Sequence, residues 1–215
     1  WESHKFRHGS ALVLGGPAGA TGAARLTAAA AARAGAGLVT LAAAADALAT
    51  YAAGQPDLVL RPWGGPQDLE ALLADPRLGA VAFGPAAGLT AATAASLPLL
   101  VRRLLPTVLD ADALTMLARE PALLAGGLHA EMVLTPHEGE FRRLFPDLVG
   151  TRRARAQAAA ARTGAIVVLK GADTLVAAPD GRLAIGRIDA PGLAVAGSGD
   201  VLTGVILGLL AQGLP

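Results

Sequence analysis

Gly197-Ser198-Gly199 stands immediately before Asp200 at the head of an uncharged stretch, Val201 to Leu214. Glycine-flanked amides opening an apolar helix make an anion hole for a phosphoryl group in transit. A carboxylate in the first helical turn is placed to take a proton from an attacking hydroxyl; the plainer reading is an Asp that caps the helix. Asp110 and Asp112, in Leu109-Asp-Ala-Asp-Ala-Leu114, follow a strand-like run. Two apart on an extended segment, they share a face and suit Mg²⁺ held through water, or a substrate hydroxyl; for Asp112 the alternative is a helix N-cap. His137 and Glu138 lie in Thr135-Pro-His-Glu-Gly-Glu-Phe141, a polar loop after another such run. Lys170-Gly-Ala-Asp-Thr174 follows the strongest strand signal and presents a lysine and a glycine to nucleotide phosphate or ribose. Gly15 to Gly22 is a glycine-rich turn whose spacing is neither Walker A nor GxGxxG, so a binding loop and an ordinary turn both stay open. The basic run Arg152-Arg-Ala-Arg155 reads as a solvated helix face, and His4, His8, His129, Trp1 and Trp63 have no informative context.

Most of these residues sit where a strand-like run ends, so the scaffold must gather strand ends. Strands are predicted at Ala11 to Leu14, Leu38 to Leu41, Asp57 to Arg61, Gly79 to Phe83, Thr107 to Leu109, Glu131 to Leu134 and Ala165 to Lys170. Asp173 to Ala177 and Arg182 to Ile185 form a hairpin across Pro179-Asp-Gly181, and helices fall at about 22–34 and 151–163. Strand and helix in alternation give a mostly parallel central sheet with helices on both faces, a three-layer α/β/α fold whose ligand lies beyond the carboxyl ends of the strands.

The chain has 215 residues, against roughly 150 per domain, and no linker divides it, so one domain over 1–215 is expected. With 53% hydrophobic and 16% charged residues, a disordered chain is excluded. A balance of 18 Lys+Arg against 17 Asp+Glu gives no general field for nucleic acid or an anionic membrane. The absence of cysteine excludes a disulfide scaffold, a thiolate metal site and a cysteine nucleophile, and fits a reducing, cytoplasmic location. The start lacks the apolar segment of a signal peptide, and no apolar run is long enough to span a membrane. There is no initiator Met, and the last stretch is still apolar and helix-like when the chain stops; a domain from a longer protein, truncated at its C-terminus, is expected.

Five motifs in order then carry a resemblance: His4-Lys5; Gly15-Gly16 with Thr21-Gly-Ala-Ala24; Leu109-Asp-Ala-Asp-Ala-Leu114; Leu134-Thr-Pro-His-Glu-Gly-Glu-Phe141; and Lys170-Gly171 with Ala196-Gly-Ser-Gly-Asp-Val-Leu-Thr-Gly204. Together they resemble the ADP/ATP-dependent NAD(P)H-hydrate dehydratases, a branch of the ribokinase-like superfamily. The resemblance implies dehydration of the S epimer of NAD(P)H hydrate, by phosphorylation of the ring hydroxyl from ADP or ATP with Mg²⁺ and elimination of phosphate. It implies Asp200 as the base, Gly197, Ser198 and Gly199 as the anion hole, and Ala23, Gly88, His137 and Asp110 together with Asp200 against the hydrate. Lys170, Gly171, Ala172, Asp173, Thr174 and Gly199 would line the nucleotide site. It further implies a homo-oligomer, fused to or paired with an NAD(P)H-hydrate epimerase. The segment before the anion hole departs from the family pattern, with Ala190 for Asn, Val195 for Thr and Ala196 for Gly, and Gly84-Pro-Ala-Ala-Gly88 has alanine where glycine is common. The same superfamily offers a kinase of a small hydroxylated vitamin precursor as the competing enzyme, and a non-catalytic nucleotide-binding module as the competing class.

Overall fold

Runs rich in leucine, valine and alanine, too short for helices, become strands in the structure, a computed structural model that describes residues 8–187 and 190–215. They are β1 (Ser10–Leu14), β2 (Leu38–Ala43), β3 (Val59–Pro62), β4 (Leu78–Phe83), β5 (Thr107–Leu109), β6 (Met132–Leu134), β7 (Ile166–Leu169), β8 (Asp173–Ala177) and β9 (Leu183–Arg187). One sheet holds them in the order β3-β2-β1-β4-β5-β6-β7-β8-β9. The first seven pair in parallel, and β8 and β9 close the edge as an antiparallel hairpin. Every predicted strand is present with ends shifted by no more than two residues. The His4-Lys5 motif and Trp1 lie outside the described residues.

The helices are α1 (Gly22–Arg33), α2 (Leu48–Ala52), α3 (Pro66–Leu73), α4 (Ala91–Val101), α5 (Asp112–Leu117), α6 (Pro121–Leu124), α7 (Glu138–Leu144), α8 (Arg152–Thr163) and α9 (Ser198–Ala211). Alternation along β1 sends Ala11 and Val13 toward α1, α2 and α9, and Leu12 and Leu14 toward α3 to α8. Both faces are covered, which is why all five residues of β1 are buried. Small residues are concentrated where α1 meets α9. A Cβ on Gly204 would run into the Thr27 carbonyl and stand 2.7 Å from Ala30 Cβ, so the two backbones are nearly in contact.

Strand order reverses between β1 and β4, and the loops leaving these strands meet there. Gly84 has φ 123°, a conformation that penalises any side chain. A Cβ on it would collide with the Asp110 carbonyl oxygen and lie 2.8 Å from Ala113 Cβ. Ala86 occupies the left-handed region without glycine's freedom, at φ 54°. No helix is long and apolar enough to cross a membrane among the described residues. Gly84→Ala is expected to cost more than about 3 kcal/mol of stability, because strain and collision act together. Chemical denaturation measures this, and a loss under about 1 kcal/mol would show that the β4 and β5 loops move apart freely.

Candidate active site

Asp110, the last residue before the chain turns off β5, is only 2% exposed. Its Oδ1 lies 2.8 Å from the Lys170 Nζ, and its Oδ2 accepts from Thr203 Oγ1 at 2.9 Å. A buried carboxylate with both oxygens engaged ties the ends of β5 and β7 to the first turns of α9. Asp200 lies one helical turn before Thr203 on α9 and feels both partners. Burial, then the Asp110 charge, push its carboxyl above the usual range, while Lys170 pulls it down.

The amides at the head of α9 carry the anion-binding potential. Gly197 adopts φ 88° and no side chain caps the helix, whereas Thr90, His137 and Thr151 cap α4, α7 and α8. Ser198 N–H reaches Val195 O at 3.4 Å and its hydroxyl donates to the same oxygen at 3.0 Å. The N–H groups of Gly199 and Asp200 find no protein acceptor among the described residues, as expected at the start of a helix. Lys170 Nζ lies 3.4 Å from where a Cβ on Gly199 would sit, so an ammonium flanks this mouth. Thr27 Oγ1 stands 3.1 Å from both the Ala23 and Asp200 carbonyls, which brings Ala23 beside the same turn.

Asp110 and Asp112 do not share a face, contrary to their two-residue spacing. Ala111 turns the chain sharply between them (φ 47°, ψ −113°), and Asp112 Oδ2 instead accepts from Gly88 N–H at 2.9 Å. Asp112 is the first residue of α5 rather than its N-cap. Asp110, expected against the substrate, engages Lys170 through Oδ1 and Thr203 through Oδ2, and each oxygen keeps a further lone pair. Among the described residues no three acidic or histidine side chains form a metal cage. Mg²⁺ at nucleotide sites is usually held by one or two carboxylates together with the substrate phosphates, a mode that needs no such cage.

The Gly15 to Gly22 turn resolves to an ordinary one at its glycine pair. Gly15 N–H donates to Ala42 O, and the buried Tyr51 hydroxyl accepts from Gly16 N–H and donates to Gly16 O. Burial raises the Tyr51 pKa, so it holds this pair as the phenol. His137 is the N-cap of α7: its Nδ1 accepts from Gly139 and Glu140 N–H at 2.9 and 3.3 Å. The ring stays exposed, and its backbone bridges to Lys170. Asp173 and Thr174 belong to β8 itself, with Thr174 Oγ1 donating back to Gly171 O.

Residues that spacing did not reveal complete the site. Arg152 and Arg155, read as a solvated face, turn inward: Arg155 reaches Glu138 Oε1 at 2.6 Å, and Arg152 donates to the Asp173 carbonyl at 2.8 Å. Those partners lie 17 and 21 residues away, which no local pattern encodes. Thr203 had a signal, because three positions after Asp200 on a helix is the same face.

A parallel sheet with its ligand end at the β1–β4 switch, and a glycine-capped helix facing a buried acid–lysine pair, define a ribokinase-like α/β protein. Residues 11–215 match the NAD(P)H-hydrate dehydratase family, and the chain belongs to it. It is 41% identical over 218 residues to the bifunctional NAD(P)H-hydrate repair enzyme of Thermosynechococcus vestitus, covering 98% of this chain and 42% of that protein. The ADP-dependent (S)-NAD(P)H-hydrate dehydratase of Neisseria meningitidis is 40% identical over 226 residues, covering 100% of this chain and 73% of its own length. The Bacillus subtilis ADP/ATP-dependent NAD(P)H-hydrate dehydratase, co-crystallized with ATP/Mg²⁺, superposes with a TM-score of 0.78 at 30% identity, over 98% of this chain and 75% of that one. The chain thus spans less than half the length of the bifunctional relatives it matches.

Lys170→Met leaves Asp110 buried without a counter-charge beside Asp200, and is expected to cost about 3 kcal/mol. Adding Asp110→Asn should return most of that loss in urea denaturation. Additive losses in the double variant would mean that the two side chains do not act as a pair.

Proposed function

We propose that this chain carries out nucleotide-dependent dehydration of the S epimer of NAD(P)H hydrate. The observation that carries the reading is Asp200, with its raised pKa, at the uncapped end of α9 next to Lys170. Asp200 accepts the proton of the ring hydroxyl, whose oxygen attacks the terminal phosphorus of ADP or ATP. The P–O bond to the leaving nucleotide breaks, giving AMP or ADP. The Gly197–Gly199 amides and the Lys170 ammonium stabilise the charge spread over the phosphoryl oxygens. The ring C–O bond then breaks with phosphate as the leaving group, and the neighbouring ring carbon loses a proton to water, which restores the double bond. Hydroxide leaves poorly and phosphate leaves well, so the phosphorylation supplies what direct elimination lacks.

In this reading Ala23, Gly88 and the exposed face of His137 flank the hydrate, and Lys170, Gly171, Ala172, Asp173, Thr174 and Gly199 receive the nucleotide, which brings Mg²⁺ with it. Asp110 acts at one remove, by holding Lys170. Residues 1–215 form a single dehydratase domain, working in the cytoplasm as a homo-oligomer and paired with an epimerase that feeds it the S epimer. Support comes from the named activities of the Neisseria and Thermosynechococcus relatives.

The test is recovery of reduced-nicotinamide absorbance from hydrated NADH and NADPH, with ADP and with ATP in parallel. Recovery dependent on a nucleotide is expected; a stable phosphorylated product of another small alcohol, with no recovery, would favour the vitamin-precursor kinase. Asp200→Asn should lower turnover by about 10²–10⁴-fold and leave ADP affinity within threefold. Because the base must be ionised, kcat/KM should fall as pH drops through the raised Asp200 pKa. Asp110→Asn removes a charge that raises this pKa, so its acid limb should move to lower pH; an unmoved limb would detach Asp110 from Asp200.

A further inference from the structure

The Lys170–Thr174 turn is exposed at Gly171, Ala172 and Asp173, yet one guanidinium spans it. Arg152, the first residue of α8, donates to the carbonyls of Leu169 at 3.3 Å, Lys170 at 3.2 Å and Asp173 at 2.8 Å. Its Nε lies 3.5 Å from Glu138 Oε2, on the first residue of α7, and Glu138 is itself held by Arg155 and Arg142. A single planar fork therefore fastens both ends of the turn and joins it to the helix that His137 caps.

Gly171 is the complement of this arrangement. Its backbone lies outside the left-handed region, so nothing conformational demands glycine. The three nearest atoms that a Cβ would meet all belong to the Arg152 guanidinium, at 2.5, 3.0 and 3.0 Å. Glycine here makes room for the arginine.

We propose that Arg152 is a positioning residue for the nucleotide, holding the Lys170–Thr174 turn in its binding shape before the nucleotide arrives. The proposal rests on the reading of this turn as the nucleotide site. A turn ordered in advance loses less freedom on binding, so removing the clamp costs affinity for the nucleotide specifically. The Lys170 ammonium is anchored separately by Asp110, so chemistry at saturating nucleotide is spared. Lysine at 152 does not substitute, because a point charge on a flexible stem cannot bridge four acceptors in one plane.

The test is calorimetric titration of ADP and ATP into wild type, Arg152→Met, Arg152→Lys, Gly171→Ala and the Arg152→Met/Gly171→Ala double variant. Steady-state assays with hydrated NADH and thermal melts accompany it. Arg152→Met and Arg152→Lys are expected to raise the nucleotide Kd about tenfold, with the hydrate KM and kcat within threefold. Gly171→Ala should weaken nucleotide binding by displacing the guanidinium, and the double variant should be no weaker than the weaker single one, since the methyl then meets open space. Should Arg152→Met fail to fold, Gly171→Ala carries the test alone, as it removes no charge. Wild-type nucleotide affinity in Arg152→Met or Gly171→Ala, losses that add, or full rescue by lysine would overturn the positioning role. Failure of the wild type to bind either nucleotide would instead overturn the assignment of the turn, and the proposal with it.

Discussion

The buried Asp110 carboxylate is the constraint around which the site is assembled. At 2% exposure it is tolerable only with strong partners, and it takes them from two other elements, Lys170 after β7 and Thr203 on α9. That requirement fixes α9 in rotation and in height against the sheet. Fixed this way, α9 presents its free amides and Asp200 at the strand ends, with the Lys170 ammonium alongside. The same burial that makes the ion pair necessary raises the basicity of Asp200.

The rest of the fold makes that placement sterically feasible. Helix α9 comes close to the sheet because α1 beside it is built from alanine, and because Gly204 and Gly208 face the α1 backbone. Larger residues at this seam would push the head of α9 away from Asp110. Alanine and glycine at this seam thus set how closely α9 approaches α1 and the sheet. On the opposite face, where aromatic and leucine side chains fill the core, α5 and α7 carry Asp112 and His137 to the same end of the sheet.

The sheet is highly legible: its parallel strands are short apolar runs bounded by glycine, proline and acids, and the antiparallel β8–β9 pair is marked by the Pro179-Asp-Gly181 turn. The glycine-led start of α9 is legible too, since its pattern is local: glycines and a carboxylate within four residues. What the pattern missed depended on backbone turns or on distance. The left-handed Ala111 cannot be inferred from its residue type, and it is what separates Asp110 from Asp112. The spacing at Gly15-Gly16 leaves a ligand loop and an ordinary turn both open, and the choice is made by Ala42 and Tyr51, which take up its amides, the latter from 35 residues away. Arg152 resembled solvated charge because its carbonyl partners lie in a different βα unit. The helix-capping role of His137 is signalled in the sequence only by Glu140 three positions on.

In the proposed reaction the ring hydroxyl is phosphorylated at α9 before it leaves. Running the reaction on hydrate labelled with ¹⁸O at that hydroxyl, with ADP as donor, and weighing the products by mass spectrometry decides it. One ¹⁸O atom is expected in the inorganic phosphate released for each NADH regenerated. Label found in water, with unlabelled phosphate, would mean that the hydroxyl departs without ever accepting the phosphoryl group, which contradicts phosphorylation at α9.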